Sequence, residues 1–198
     1  MREALAGHMG MAREQAQAAL ALSTGRDVES MAAIALALAG RLPQATRLAD
    51  GLAQRFPEDT IVQFNYVPSI RAATAIESGS PDKAIQVLAA AVPYELGGPA
   101  NQSPTFCLYP VYLRGLALLG ARQGSAAAEF QKILDHPGVV LNEPIGALAR
   151  LGLGRSYAVA GDKEKARKAY EDFFALWKDA DPDVPILNQA KDEYAMLR

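Results

Sequence analysis

From Glu143 to Ala180 the chain reads EPIGALARLGLGRSYAVAGDKEKARKAYEDFFALWKDA, and its apolar and small residues recur at helical spacing on both sides of Ala160-Gly161-Asp162. A glycine followed by a helix-capping aspartate makes a tight turn there, so the pattern predicts a helix-turn-helix hairpin. Leu153, Gly154 and Tyr157 fall on one face of the first helix, and Ala166, Tyr170 and Phe173 on one face of the second. Small residues at Gly154 and Ala166 let two helices approach closely while the aromatics fill the groove beside them. The same spacing, an alanine five residues after the turn glycine and a packing residue nine after it, recurs along the chain. Gly7, Ala12 and Ala16 fit it, as do Gly40, Ala45 and Ala49, then Gly79, Ala84 and Leu88. A further unit has Ala121 in the glycine slot, followed by Ala126 and Phe130, and lies one residue out of register with Gly115.

These anchors divide the chain into a partial repeat over 1–25, repeats over about 26–58, 59–92, 106–137 and 143–180, an insertion loop over 92–105 and a capping helix over 183–197. Helices are predicted from Met9 to Leu22, from an Asp27 cap to Ala39, and from Pro43 to Arg55, where Phe56-Pro57 stops the last. Pro68 falls inside a predicted helix and should kink it or mark its start, and Leu108-Tyr109-Pro110 repeats Tyr66-Val67-Pro68. Pro81 to Ala91 reads as helix with its proline in the first turn. Val92 to Thr105 is too rich in glycine and proline for helix, and reads as an ordered surface loop anchored by Tyr94, Leu96 and Phe106. Helix resumes from Ala126 to Leu134 and stops at Asp135-His136-Pro137-Gly138, and the second helix of the last repeat runs to about Asp179. Asp183 reads as the cap of a final helix whose apolar stripe is Ile186, Ala190, Tyr194 and Leu197.

The order leucine-glycine, tyrosine, glycine-aspartate, alanine and aromatic in Leu153-Gly154, Tyr157, Gly161-Asp162, Ala166 and Tyr170 resembles the tetratricopeptide (TPR) repeat. The fold this implies is all-α: a TPR-like alpha-alpha superhelix, a right-handed solenoid of hairpins whose last hydrophobic face is covered by the C-terminal helix. Longer strings narrow the resemblance. RFPEDTIVQFNYVPSIRAA, PYELG, LYPVYLRG, EFQKILDHPGVVLNEPIGALA and FFALWKDADPDVPILNQAKDEY are similar to the C-terminal TPR region of bacterial eukaryote-like serine/threonine protein kinases. Similar regions follow winged-helix DNA-binding domains in some transcriptional regulators. The resemblance implies a catalytic domain upstream. Its chemistry is not in this sequence, which has no glycine-rich phosphate loop, no histidine-arginine-aspartate loop and no aspartate-phenylalanine-glycine motif.

Composition agrees with close-packed helices: half the residues are hydrophobic but only 7% aromatic, with alanine supplying much of the apolar share. A formal net charge of -2 argues against general nucleic-acid binding, which needs a basic stripe for phosphates. Cys107 is the only cysteine, so no internal disulfide can form, and a cytoplasmic location is the plain inference. The longest apolar run, Ala32 to Ala39, is too short to cross a bilayer, and Met1 to Leu20 lacks the order of a signal peptide. Arg2 to Ala6 reads as the end of a helix already in progress, as in a segment of a longer chain.

Candidate chemistry is sparse. Asp135, His136 and Glu143 could form a metal trio, but they flank a helix stop, where a capping aspartate and a solvated histidine are the plainer reading. His8 reads as a turn residue and Cys107 as a small buried hydrophobe. Arg71, Arg114, Arg150 and Arg155 all fall on first helices, those lining the concave face of such an array, together with Asn65, Tyr66, Tyr109 and Tyr112. Arginine over an aromatic floor suits a peptide carboxylate; pairing of the arginines with surface carboxylates is the alternative. Trp177, with Phe173 and Phe174, reads as core or as an aromatic anchor for a partner. No catalytic residue, cofactor or metal is implied. The expectation is a non-catalytic scaffold that binds a peptide or protein segment in its concave groove, without direct nucleic-acid or membrane contact and open to homodimer formation. The alternative is a regulatory module gating a fused kinase or winged-helix domain.

Overall fold

The turns between paired helices are built on backbone that only a few residue types adopt readily. Gly7, Gly40, Gly79 and Gly161 have φ of 95°, 78°, 72° and 80°, where a side chain would crowd the backbone. Each closes a helix end in the same way: at Gly40, its N–H donates to Ala37 O at 2.9 Å, and the N–H of Arg41 donates to Leu36 O at 2.8 Å. This pair of bonds satisfies two of the helix's last carbonyls and reverses the chain. The fourth turn has the same bonds, Arg122 N to Leu119 O at 3.0 Å and Gln123 N to Leu118 O at 2.8 Å, but the residue in the left-handed region is Arg122, with φ 54°. Ala121, which the spacing places in the glycine slot, has an ordinary φ of -79°. The one-residue offset in the sequence is thus a turn whose reversal comes one position later.

The computed structural model describes residues 1–97 and 108–197, which form α-helices, one π-helical and one 3-10 stretch, and turns, with no strand among the described residues. Five hairpins follow one another: α1 (Arg2–Ala6) with α2 (Met9–Leu22), α3 (Arg26–Leu38) with α4 (Leu42–Arg55), α5 (Val67–Glu77) with α6 (Pro81–Leu88), α7 (Tyr109–Gly120) with α8 (Ala126–Asp135), and α10 (Ile145–Val159) with α11 (Lys163–Leu176). A short α9 (Pro137–Val140) precedes the last hairpin, and α12 (Pro185–Ala195) ends the chain. The first helices touch in succession, α1 to α3 to α5 to α7 to α10, and each second helix also lies against the first helix of the next hairpin. The stack is therefore two layers deep, and its buried apolar residues form one continuous core.

Glycines set the spacing in the last two hairpins. A Cβ on Gly115 or Gly152 would come within 2.8 and 2.5 Å of the Phe130 ring, and one on Gly154 within 2.8 Å of Tyr170. Phe130 and Tyr170 are buried, and burying a ring of this size contributes roughly 1.5–3 kcal/mol. Phe130 reaches Gly115 in its own hairpin and Gly152 in the next, so one ring holds two units together.

Local chemistry moves several predicted boundaries. Gly25, not Asp27, precedes α3; the Asp27 carboxylate instead accepts from Tyr66 Oη at 2.7 Å. Pro68 marks the start of α5, one of the two outcomes expected of it: it lies in the first turn, and the preceding turn, Val62–Tyr66, is π-helical, with Val67 N donating back to Val62 O. Widening by one residue accommodates a proline that lacks an N–H and would clash one turn back. Pro110 lies in the first turn of α7, the tolerated place. After Leu88 the helix tightens into a 3-10 stretch, Ala89–Tyr94, that contains Pro93. Trp177 follows the end of α11 at Leu176, short of Asp179, and Val184 rather than Asp183 precedes α12. Asp162 does cap α11, accepting from Lys165 N at 3.1 Å. Phe106, Cys107 and most of the predicted insertion loop lie outside the described residues.

The capping helix also does more than cover α11. It touches α1 as well, and a Cβ on Gly7 would come within 2.8 Å of the Pro185 Cβ. The two ends of the stack thus meet. Consistent with this, the layer of first helices is buried around most of its girth: in α3 every residue from Glu29 to Ala37 except Met31, and in α7 every residue from Tyr109 to Gly115.

Candidate functional site

The eight side chains singled out on first helices do not converge on one surface. Tyr66, Tyr109, Tyr112 and Arg114 are buried, Asn65, Arg150 and Arg155 half-buried, and Arg71 exposed. Tyr66 bonds Asp27, and Tyr109 Oη donates to Glu143 at 3.0 Å. Burial and then the neighbouring Glu143 carboxylate push the Tyr109 phenol up, Arg2 opposing them. Tyr112 stands edge-on to Phe130 with ring centroids 6.1 Å apart, and burial raises its pKa to about 12, Arg155 partly offsetting the shift. Arg71 pairs with Asp50 on the surface at 2.9 Å, a contact of about 0–1 kcal/mol.

Arg155 and Arg114 hold tertiary structure. Arg155 donates from Nε and Nη2 to the two oxygens of Glu193, at 2.9 and 3.0 Å, and Tyr170 Oη donates to the same carboxylate at 2.8 Å. This fork fastens α12 onto the last hairpin. Arg114 bonds Glu95 and also Glu129, the latter at 2.6 Å, while Lys132 Nζ reaches Glu95 at 2.5 Å. Glu95 is only 1% exposed. Burial alone would raise its pKa, but the hydrogen bonds from Arg114 and Lys132 outweigh it and hold the carboxyl below its ordinary value. Burial likewise disfavours the Arg114 charge, and its bonds to Glu95 and Glu129 reverse the sign. The segment after α6 is thus anchored by a buried carboxylate, while Tyr94 and Leu96, its predicted anchors, are 40% and 48% exposed. Tyr94 does stack on Phe64, with centroids 4.6 Å apart.

Arg150 differs from the other three. Its Nη1 donates to Gly146 O in its own helix at 3.1 Å, and no carboxylate lies within ion-pair distance among the described residues. It lines a cleft of about 540 Å³ where the end of α8, α9, the start of α10 and the end of α11 meet. The walls mix apolar side chains, Ile133, Val140, Leu141, Leu176 and Trp177 among them, with polar groups, and Glu143 is the acidic residue in the lining. Glu143 accepts from Tyr109 through one carboxylate oxygen and makes no ion pair with Arg150. Leu141 and Leu176 are 57% and 55% exposed. Trp177 is half-buried, its ring 5.1 Å from Phe173. A Cβ on Gly146 would come within 2.9 Å of Val140, so the glycine lets α9 close against α10 and shapes the cleft floor.

The cleft rim carries unusual backbone. Leu141 has φ 51° and ψ -124°, and Glu143 N donates to Val140 O at 3.1 Å across it. These are the angles of the first central position of a type II′ turn, a place for glycine; a leucine there stores roughly 1–3 kcal/mol of strain. In sequence, only the stop at Asp135-His136-Pro137-Gly138 hints that chain geometry breaks here.

Asp135, His136 and Glu143, for which a capping and solvated role is the plainer reading, are engaged in separate bonds. Asp135 accepts from Gln131 at 2.8 Å, His136 Nδ1 lies 2.8 Å from Lys132 O, and Glu143 serves Tyr109. Among the described residues no group of histidine, cysteine, aspartate and glutamate could hold a metal ion, and no helix is long and apolar enough to cross a membrane. Comparison with protein-family models, with curated proteins and with solved structures gave no match.

Proposed function

We propose that this chain is a non-catalytic interaction scaffold of TPR-like hairpins that binds a segment of a protein partner. The observation that carries the reading is the cleft beside Arg150: a concavity of about 540 Å³ that combines apolar side chains with polar groups and holds one cation with no acidic partner among the described residues. A cavity of this kind, joining apolar side chains to a few polar groups, is the usual form of a binding site, and a site built on packed helices loses little entropy on docking. The inner layer supports the reading less, because its tyrosines and Arg114 are already engaged within the fold.

The resemblance of the quoted strings supports reading the segment as the region behind the catalytic domain of a bacterial serine/threonine protein kinase, where it would recruit substrates. The test has two parts. Screening immobilised random peptides against the folded chain and titrating the best soluble binder should give a saturable one-to-one isotherm; no saturable binding contradicts the scaffold reading. In a full-length kinase carrying this segment, its deletion should lower phosphorylation of the native substrate while leaving a generic peptide unaffected.

A second reading, a module that packs on a fused kinase or winged-helix domain and gates it, draws on the exposed apolar residues of α2. There Met9, Met11 and Leu22 are 36%, 48% and 88% exposed. A changed rate on the generic peptide after deletion favours this gating reading over recruitment.

A further inference from the structure

Resting on the scaffold reading, we infer that the cleft takes an acidic-apolar linear motif: an internal aspartate or glutamate of the partner bonds Arg150 while a large apolar side chain beside it lies against Leu141, Leu176 and Trp177. Three observations lead there. The Arg150 guanidinium uses only Nη1 within the fold, which leaves the Nε–Nη2 edge, the edge with which Arg155 grips Glu193 in the same helix. A carboxylate is the group that matches this fork with two parallel bonds. Glu143, the carboxylate in the lining, bonds Tyr109 and is not ion-paired with Arg150. The rim then adds the apolar half of the motif: two leucines more than half exposed, one of them held outward by a backbone conformation that costs the fold stability. A purely ionic ligand would leave the leucines uncovered, and a purely apolar one would leave the Arg150 edge unpaired.

Trp177 is the only tryptophan in the chain, so its emission reports on the cleft. The experiment titrates the intact protein with three pools of short, terminally blocked peptides: one with a central glutamate flanked by leucine or phenylalanine, one with glutamine in its place, and one with glutamate flanked by alanine. The first pool should shift Trp177 emission saturably, and the other two should bind about tenfold or more weaker, the usual range for a charged hydrogen bond or a buried large side chain. Arg150→Gln should abolish the preference for glutamate over glutamine, Arg150→Lys should keep part of it, and both should retain the helical circular dichroism of the parent. Leu141→Gly should weaken binding while raising the unfolding temperature.

Equal binding of the glutamate and glutamine pools overturns the inference, as does an equal response to acetate alone. An emission change that follows protein concentration without peptide makes the cleft a contact between copies and also overturns it. If peptides bind with Trp177 emission and the Arg150 variants unaffected, this inference fails and the scaffold reading stands. If no peptide binds anywhere, both fail.

Discussion

Arg114 and Arg150 both sit on first helices of adjacent hairpins, and the sequence gives no reason to treat them differently. Their surroundings separate them. Arg114 is 8% exposed and meets two carboxylates, one of them buried in the turn that follows α6. Arg150 is half-buried, bonds only its own helix and faces an open cleft. The first arginine has its charge satisfied by the fold, so its loss is a loss of structure. The second has spare donors, so its loss is felt when something else arrives. Which role an arginine takes is decided by whether the chain returns a carboxylate to it, and here the carboxylates return from 19, 15 and 38 residues away for Arg114 and Arg155.

The largest effect should come from breaking the saturated region. Arg114→Leu leaves Glu95 buried beside Lys132 alone and should cost about 3–5 kcal/mol in urea denaturation; a cost under ~1 kcal/mol would remove the distinction between the two arginines. Acid should act on the same network. The folded Glu95 carboxyl lies below its ordinary value, so its contribution is present above the unfolded pKa and lost as pH falls through the lowered folded one. The urea midpoint of the parent should therefore fall on acidification below about pH 4.5, the ordinary value, more steeply than that of Glu95→Gln.

Two residues with positive φ sharpen the contrast further, one at a hairpin turn and one at the cleft. Arg122→Gly and Leu141→Gly should each raise stability by about 1 kcal/mol, because glycine accepts the left-handed region without crowding. Only the second should weaken peptide binding, and a thermal melt paired with a titration checks both. The smallest effect on folding is expected at the cleft cation: Arg150→Gln should change the unfolding free energy by no more than ~0.5 kcal/mol.

Much of the helical architecture was legible because it rests on local rules. Glycines at Gly7, Gly40, Gly79 and Gly161 announce left-handed turns, and Gly154 opposite Tyr170 announces a close helix approach. What was illegible is tertiary. Arg122 takes a glycine's conformation without a glycine's identity. Glu95 sits in a stretch that reads as a surface loop, where apolar residues rather than a carboxylate would be expected to anchor. The π-helical turn before Pro68 is a compromise between a proline and continuous packing, and proline alone predicts only that something must give. The cleft arises because α9 and the turn at Leu141 separate two hairpins, and the stop at Asp135-His136-Pro137-Gly138 announces a break without its shape. Of the eight residues expected to bind, Arg150 alone lines this cleft, and its distinction from Arg114 and Arg155 lies wholly in partners remote along the chain.

The most direct test is to map the bound peptide on the protein by amide chemical shifts, using the best binder of the acidic-apolar pool. Perturbations should concentrate in residues 137–150 and at Leu176 and Trp177, with Asn65, Tyr66, Tyr109 and Tyr112 little changed. Perturbations centred on those four, with the cleft silent, would return binding to the inner layer of helices and contradict the account.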